Sequence, residues 1–361
     1  MKDNHAPHLP ENCPLFSVCV PARNASHFLV DCLNSVLSQT CPSWEVIVVD
    51  DASTDGTYDL LSCQTIIPAD KIEVVSFAQN RGPYYARRAA IAHAHGSYLL
   101  FLDADDTLIG TDALQQLATI IDGVYPDVVL FNLSDKSDGS NRLIAYEQLF
   151  GNALDCPGEA ISLDAQKCLS LFLSTYRLNN LASKAIKREL LMDDIATPNF
   201  VFRVAEDRVE VFNALQKARS IYLFDRALYY YRSNGESTTH KALDIAYCLQ
   251  QAFAESTILA HLGHSNDDIE GLINNYMGML AFEMRALVMH KSVRQSIACI
   301  RKLRYEPFCD NACKTWLALP KHKRHGRFDV WARALLFRHD TLLPEVVLCK
   351  ILNLISRARV K

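Results

Sequence analysis

Four short apolar runs, each followed by a turn or a stretch with helical spacing, restrict the first 110 residues to one kind of fold. Phe16 to Val20 (FSVCV) is closed by Pro21, and Ser26 then opens a helical pattern through Phe28, Leu29, Leu33, Val36 and Leu37. Trp44 to Val49 (WEVIVV) ends in Asp50 and Asp51, and the turn Ser53-Thr54-Asp55-Gly56 leads into a short helix through Tyr58, Leu60 and Leu61. Residues 71–77 give a third strand, 83–95 a third helix stopped by Gly96, and Ser97 to Leu102 (SYLLFL) a fourth strand ending in Asp103-Ala104-Asp105-Asp106. Runs such as IVV and LLFL are continuously apolar, as strands buried on both faces must be. The expected class is α/β: a mostly parallel sheet flanked by helices, Rossmann-like, with a helical C-terminal region. In such sheets ligands lie beyond the carboxyl ends of the strands, so the loops after Val20, Val49, Phe77 and Leu102 should converge on one pocket.

Beyond this unit the pattern changes. Residues 135–157 are polar, whereas 162–174, 188–192 and 206–218 read as helices. From Lys241 onward the spacing is almost entirely helical, with a break at Pro307 and a basic cluster at Lys321, Lys323, Arg324 and Arg327. The expected organisation is a domain over 1–240, with a nucleotide-binding half (1–110) and an acceptor or catalytic half (111–240), followed by a helical region over 241–361. The chain has 361 residues, 49% of them apolar, enough for two packed regions.

A formal net charge of -4 gives no electrostatic reason to expect nucleic-acid binding. The twelve cysteines are irregularly spaced and the first fifteen residues contain no apolar leader, so reduced core thiols in a cytoplasmic protein are expected. No segment reaches the roughly 18 uncharged apolar residues of a membrane span. The last forty residues are nonetheless basic, and Leu343, Val346, Val347, Ile351, Leu354 and Ile355 form a stripe at helical spacing before Arg357, Arg359 and Lys361. Such an end can pack on the protein's own core or lie on an anionic membrane as a peripheral contact.

The chemistry is concentrated at strand ends. Asp103 and Asp105, one residue apart after a buried strand, can face a common Mg²⁺ or Mn²⁺. Asp50 and Asp51 can accept from a base N–H or a ribose hydroxyl. Arg81, Arg87 and Arg88 can bring guanidinium groups toward phosphate or the acidic turn. The first loop, Pro21-Ala22-Arg23-Asn24, has no glycine, which argues against a dinucleotide-binding dehydrogenase and against a sugar nucleotidyltransferase. Cys309, Cys313, His322 and His325 fit zinc-finger spacing poorly, and two helix-face thiols with two surface histidines are the better reading.

Together the segments VPARN (20–24), VVDDASTDGT (48–57), NRGPYYARR (80–88) and GSYLLFLDADD (96–106) resemble the family 2 glycosyltransferases of the GT-A fold, with LASKAIKREL (181–190), AEDRVEVFNAL (205–215) and YYYRSNGESTT (229–239) similar to second-half signatures of bacterial members. The resemblance implies an inverting, metal-dependent transfer of a sugar from a nucleotide-diphosphate donor, a UDP-sugar favoured, to a glycan or lipid-linked acceptor in cell-surface polysaccharide or glycolipid synthesis. It places Pro21, Arg23, Asn24, Asp51, Arg81, Arg87 and Asp103 at the donor nucleotide, and Asp105 with Asp103 at the Mn²⁺ or Mg²⁺. Asp207 would be the catalytic base, with Lys184, Glu206 and Arg232 at acceptor or phosphate. Three departures stand out: Arg23 where an aromatic residue is common, Arg88 where asparagine is common, and the bulky Pro83-Tyr84-Tyr85. A non-catalytic nucleotide-sugar-binding relative is the alternative.

Overall fold

The computed structural model describes residues 13–63, 68–151, 159–233, 244–263, 265–289, 291–325, 328–337, 342 and 344–350. The chain divides into two compact units, one of residues 1–169 with 179–235 and one of 170–178 with 236–361.

The first unit begins with β1 (Phe16–Ala22), α1 (Leu29–Leu37), β2 (Trp44–Asp50), α2 (Thr57–Ser62), β3 (Ile72–Ser76), α3 (Pro83–His93) and β4 (Tyr98–Phe101). These four strands are parallel, with β1 between β2 and β4 and β3 outside β2. The strand order reverses direction at β1, so the carboxyl ends of β1 and β4 border the crevice where such sheets take their ligands. Helix α3 packs on β1 and β2. It ends at His93, two residues before the expected stop, because Ala94 is already extended (ψ 136°). Gly96 is required just beyond: a Cβ there would lie 2.5 Å from the Ser17 backbone nitrogen.

Five further strands follow where the apolar pattern gave none. They are β5 (Thr107–Leu108), β6 (Val128–Ser134), β7 (Ile161–Leu163), β8 (Lys184–Lys187) and β9 (Ile221–Tyr230), interspersed with α4 (Ala113–Val124), α5 (Tyr146–Phe150), α6 (Ala165–Ser174) and α7 (Glu206–Leu215). The sheet runs β3-β2-β1-β4-β8-β6-β9-β5, with β7 also on β9. Its second half mixes directions, because β8 is antiparallel to both β4 and β6 while β6 and β9 are parallel. The helix expected over 162–174 starts later. Ile161 to Leu163 pair with β9, and Asp164 turns the chain by accepting from the Lys167 N–H at 2.6 Å. The helix expected over 188–192 is a single 3₁₀ turn, Arg188–Leu191, and the one expected to reach Ala218 ends at Leu215.

The second unit is helical: α8 (Ile245–His261), α9 (Asn266–Val288), α10 (Val293–Arg304), α11 (Pro307–Ala318) and α12 (Phe328–Phe337). Its core gathers Ala252, Ile273, Met277, Leu280, Met284 and Trp316. Side-chain caps start four of these helices: Asp244, Ser265, a Ser292–Gln295 capping box, and Glu306, whose carboxylate accepts from the Cys309 N–H at 2.8 Å. Pro307 therefore begins α11, its missing N–H costing nothing at a first helical position. Cys309 and Cys313 are buried, the former against the Tyr276 hydroxyl and the latter against the Met277 sulfur, so they pack as helix-face thiols. Of the C-terminal stripe, Val346 is buried and Val347 exposed. Leu343, Ile351, Leu354, Ile355, Arg357, Arg359 and Lys361 lie outside the described residues, as do 234–240. Among the described residues no helix is long and apolar enough to cross a membrane.

Candidate active site

The loops after β1, β2 and β3 are tied together by Asp51. Its carboxylate accepts from the Arg81 N–H at 2.6 Å and the Gly82 N–H at 2.9 Å, its own N–H donates to the Ala22 carbonyl, and its carbonyl accepts from Arg23 Nη1 at 2.7 Å. The Asn24 side chain accepts from the Thr54 N–H at 2.8 Å, joining the first and second loops again. Pro21 is the penultimate residue of β1, opposite Val49. The exposed Arg81 guanidinium lies over the Tyr85 ring at 4.3 Å and near that of Phe77 at 5.2 Å, so both neighbours hold its plane. Gly82 adopts φ 92°, and a Cβ there would meet Val201 Cγ1 at 2.8 Å and the Phe202 carbonyl at 3.1 Å. Asn24 (φ 50°), Ala52 (φ 55°) and Ala205 (φ 62°) are left-handed without being glycine. Each borders a predicted site residue, the placement at which backbone strain is characteristically tolerated.

Arg87 occupies the centre. Its side chain, on α3, is nearly buried and meets three carboxylates: Asp207 Oδ1 at 2.5 Å, Glu206 Oε1 at 3.1 Å and Asp103 Oδ1 at 3.2 Å. Burial works against its charge, but Asp207, then Asp103 and Glu206, outweigh that cost and keep the guanidinium ionised. One cation from α3 thus joins the acidic turn after β4 to the first turn of α7. Burial raises the carboxyl pKa of both Glu206 and Asp207, against the pull of Arg87. The two acids differ in access: the Asp207 side chain is 31% exposed and that of Glu206 12%.

The acidic turn divides its labour. Asp103, with 40% of its side chain exposed, and the partly exposed Asp105 remain on the open side. Asp106 turns inward and accepts from the Tyr229 hydroxyl at 2.6 Å and the Arg232 N–H at 2.7 Å. Burial, with Asp103 adding to it, pushes the Asp106 carboxyl up to about 8. The Tyr229 hydroxyl also accepts from the Asp103 N–H at 3.1 Å, so β9 fixes the turn from below. Among the described residues no group of three or more histidine, cysteine, aspartate or glutamate side chains is arranged to hold a metal by itself. Two accessible carboxylates without nitrogen or sulfur donors nonetheless suit a hard divalent cation that takes its remaining oxygens from a bound diphosphate.

Arg232 lies over the Phe28 ring at 5.2 Å and pairs with Asp31 at 3.2 Å. Lys184, on β8, is buried and donates to the Asn180 carbonyl; burial draws its ammonium down to about 7, with Asp207 opposing. Two of the three departures from the family pattern, Arg88 and the Pro83-Tyr84-Tyr85 run, form a structural group of their own. Arg88 donates to the Leu191 carbonyl at 2.7 Å and the Met192 carbonyl at 3.1 Å, Tyr84 to Asp194 and the Ala196 carbonyl, and Tyr85 to the Pro198 carbonyl at 2.5 Å. Together they pin residues 191–198, the approach to Glu206 and Asp207, onto α3.

The glycosyl transferase family 2 pattern matches residues 17–171, from the second residue of β1 to the middle of α6. Residues 17–171 belong to glycosyl transferase family 2. TuaG of Bacillus subtilis, whose name assigns it to teichuronic acid biosynthesis, is 46% identical over 93 residues, 26% of this chain and 36% of its own. A PGL/p-HBAD biosynthesis glycosyltransferase of Mycobacterium bovis is 34% identical over 123 residues, 32% of this chain and 48% of its own. The chain therefore spans less than half the length of these curated relatives. The crystal structure of TarS 1–349 of S. aureus in complex with UDP-GlcNAc aligns with 94% of this chain and 88% of that one, at TM-score 0.60 and 24% identity, a likeness of fold. The glycosyl transferase domain and its GT-A architecture agree with the resemblance read from the motifs.

Within this domain, sequence reasoning missed the roles of Asp106 and Tyr229. The signal available was the alternation in IYLFDRALYYY (221–231), which sends Tyr229 to the opposite face from Tyr230.

Proposed function

We propose that the protein is an inverting, divalent-metal-dependent glycosyltransferase that moves a sugar from a nucleotide-diphosphate donor, a UDP-sugar favoured, to an acceptor hydroxyl in cell-surface polysaccharide or glycolipid synthesis. The observation that carries this reading is the Arg87 contact set, which brings Asp103 of the acidic turn and Asp207 of α7 onto one guanidinium. That arrangement suits a donor diphosphate on one side and an acceptor on the other.

In this reading the linked loops carrying Pro21, Arg23, Asn24, Asp51 and Arg81 seat the nucleotide, and Arg232 and Lys184 add positive charge toward phosphate or acceptor. Asp103 and Asp105 hold Mn²⁺ or Mg²⁺, which neutralises the departing diphosphate when bound. Asp207, the more open of the two acids, accepts the proton of the acceptor hydroxyl. The new bond forms between that oxygen and the anomeric carbon, on the face opposite the leaving diphosphate, whose C–O bond breaks with the electron pair going to phosphate. Arg87 favours the ionised form of Asp207 against the effect of burial and fixes the carboxylate's direction. Buried single thiols such as Cys19, Cys32 and Cys168 suit a reducing compartment, which supports a cytoplasmic location.

The test is release of nucleotide diphosphate from UDP-, GDP-, CDP- and dTDP-sugars, with and without added Mn²⁺, in the presence of candidate acceptors. One donor turning over in a metal-dependent way supports the reading. Conversion of the donor and pyrophosphate to a nucleoside triphosphate and a sugar phosphate, or binding of every donor without turnover, would replace it.

A further inference from the structure

The helical unit carries a basic surface that contains none of the residues placed at the candidate active site. From Lys291 to Tyr305 the chain holds five basic residues (Lys291, Arg294, Arg301, Lys302 and Arg304) and no acid, although the whole chain has a net charge of -4. Helix α10 buries Ser296, Ile300 and Leu303 at spacings of four and three, so one face is committed to the unit's own core. The opposite face bears Arg294, Ala298, Arg301 and Tyr305, at steps of four, three and four, with Lys302 beside them, and all five are exposed. Two ion pairs of this unit, Lys314–Asp310 and Lys323–Glu270, lie on other elements, and among the described residues Arg294, Arg301 and Lys302 have no carboxylate within ion-pair distance. The Lys350 ammonium adds a further cation at the α9–α10 turn, donating to the Val288 carbonyl at 3.2 Å and the Lys291 carbonyl at 2.7 Å.

Apolar groups are exposed along the same stretch. Tyr305, at the end of the basic face, is 77% exposed, and Val293 begins the helix uncovered. Phe282 on α9 (59% exposed) and Met289 at that helix's C-terminal cap are exposed seven residues apart, about two helical turns, before the turn into α10. A soluble polyanion would satisfy the cations but offers nothing to an uncovered tyrosine, phenylalanine, methionine and valine. An anionic bilayer satisfies both, with lipid phosphates for the cations and the acyl boundary for the rings and methyl groups.

We propose that the Lys291–Tyr305 segment, with the end of α9, is a peripheral docking surface for an anionic lipid bilayer. It holds the protein at the membrane surface without crossing it. The inference stands apart from the transfer reaction, because binding to vesicles needs neither donor nor acceptor.

The test is sedimentation of the full chain with phosphatidylcholine vesicles, with and without phosphatidylglycerol, at low and high salt. The protein is expected to pellet with the anionic vesicles only, and less so at high salt. Arg301→Glu with Lys302→Glu, both exposed, should weaken that partitioning by about 30-fold or more, since each interfacial cation contributes about 1 kcal/mol, roughly a 5-fold factor, and the two factors multiply. Tyr305→Ser should weaken it several-fold while leaving soluble polyphosphate binding unchanged. Equal pelleting with neutral vesicles, unaltered binding by the double variant, or a preference for polyphosphate over anionic vesicles would each overturn the proposal. Donor turnover by the same variants, expected at the wild-type level, separates failure here from failure of the glycosyltransferase reading.

Discussion

The Arg87 guanidinium lies 2.5 Å from the Asp207 carboxylate while also meeting Asp103 and Glu206. Its two terminal nitrogens divide these contacts, Nη1 meeting Asp207 and Glu206 and Nη2 meeting Asp103, a spread that the single nitrogen of a lysine ammonium does not reproduce. Arg87→Lys is therefore expected to keep the buried positive charge and the fold but lose turnover by about 10²-fold. Arg87→Met leaves the acids uncompensated and should cost about 3 to 5 kcal/mol in urea unfolding. Wild-type turnover by Arg87→Lys would show that the shared guanidinium is unnecessary for the reaction.

The two acids at the start of α7 separate by access. Asp207→Asn retains shape but cannot take a proton, so transfer should fall by about 10² to 10⁴ with donor affinity nearly unchanged. Glu206→Gln should cost far less, because that side chain is the more enclosed. Steady-state kinetics at saturating donor and acceptor decide the assignment, and a larger loss at Glu206 than at Asp207 would reverse it.

Metal binding is checked without relying on activity. Free Mn²⁺ measured by electron paramagnetic resonance should fall when the protein and a nucleoside diphosphate are mixed. Asp105→Ala should abolish that uptake, whereas Asp106→Asn should disturb it less, since Asp106 faces Tyr229 and Arg232. Asp106→Asn should instead lower thermal stability, as it weakens the link between β9 and the acidic turn. Mn²⁺ uptake by Asp105→Ala equal to wild type would remove Asp105 from the metal site.

Stability of the helical unit should depend on pH through Glu283. This fully buried carboxyl is pushed up to about 8 from an ordinary 4.5, by burial first and then by Glu255, with the Cys248 thiol opposing. Because the folded value exceeds the unfolded one, its contribution is fully present below about 4.5 and is lost progressively as pH rises to about 8. Glu283→Gln keeps the group neutral, so its melting temperature should exceed that of wild type at pH 8 and approach it near pH 5. Parallel melting curves across that range would mean that Glu283 does not govern the slope.

What the sequence determined by itself is the parallel half of the sheet and the loops at its edge. Continuous apolar runs such as WEVIVV admit only strands buried on both faces, and each hands its following loop to the same side. The ordered motifs likewise named Asp51, Asp103 and Asp207 as candidates, and the fold sets the last two against one guanidinium. Strands β8 and β9 escaped notice because Lys184 and Lys187 bracket a two-residue apolar pair and Asp225-Arg226 interrupts the other run. Their strand character comes from pairing with distant partners, which local periodicity does not record. Tertiary structure alone decided that Arg87 faces carboxylates 16, 119 and 120 positions along the chain. It also decided that Arg88 and Tyr84 clamp residues 191–196, and that Asp106 is held by Tyr229 rather than left beside Asp105. A charged side chain's partner is set by which loops the sheet brings within a few ångströms, and Coulomb attraction then selects among them. Sequence spacing carries the first step only where both loops follow adjacent parallel strands.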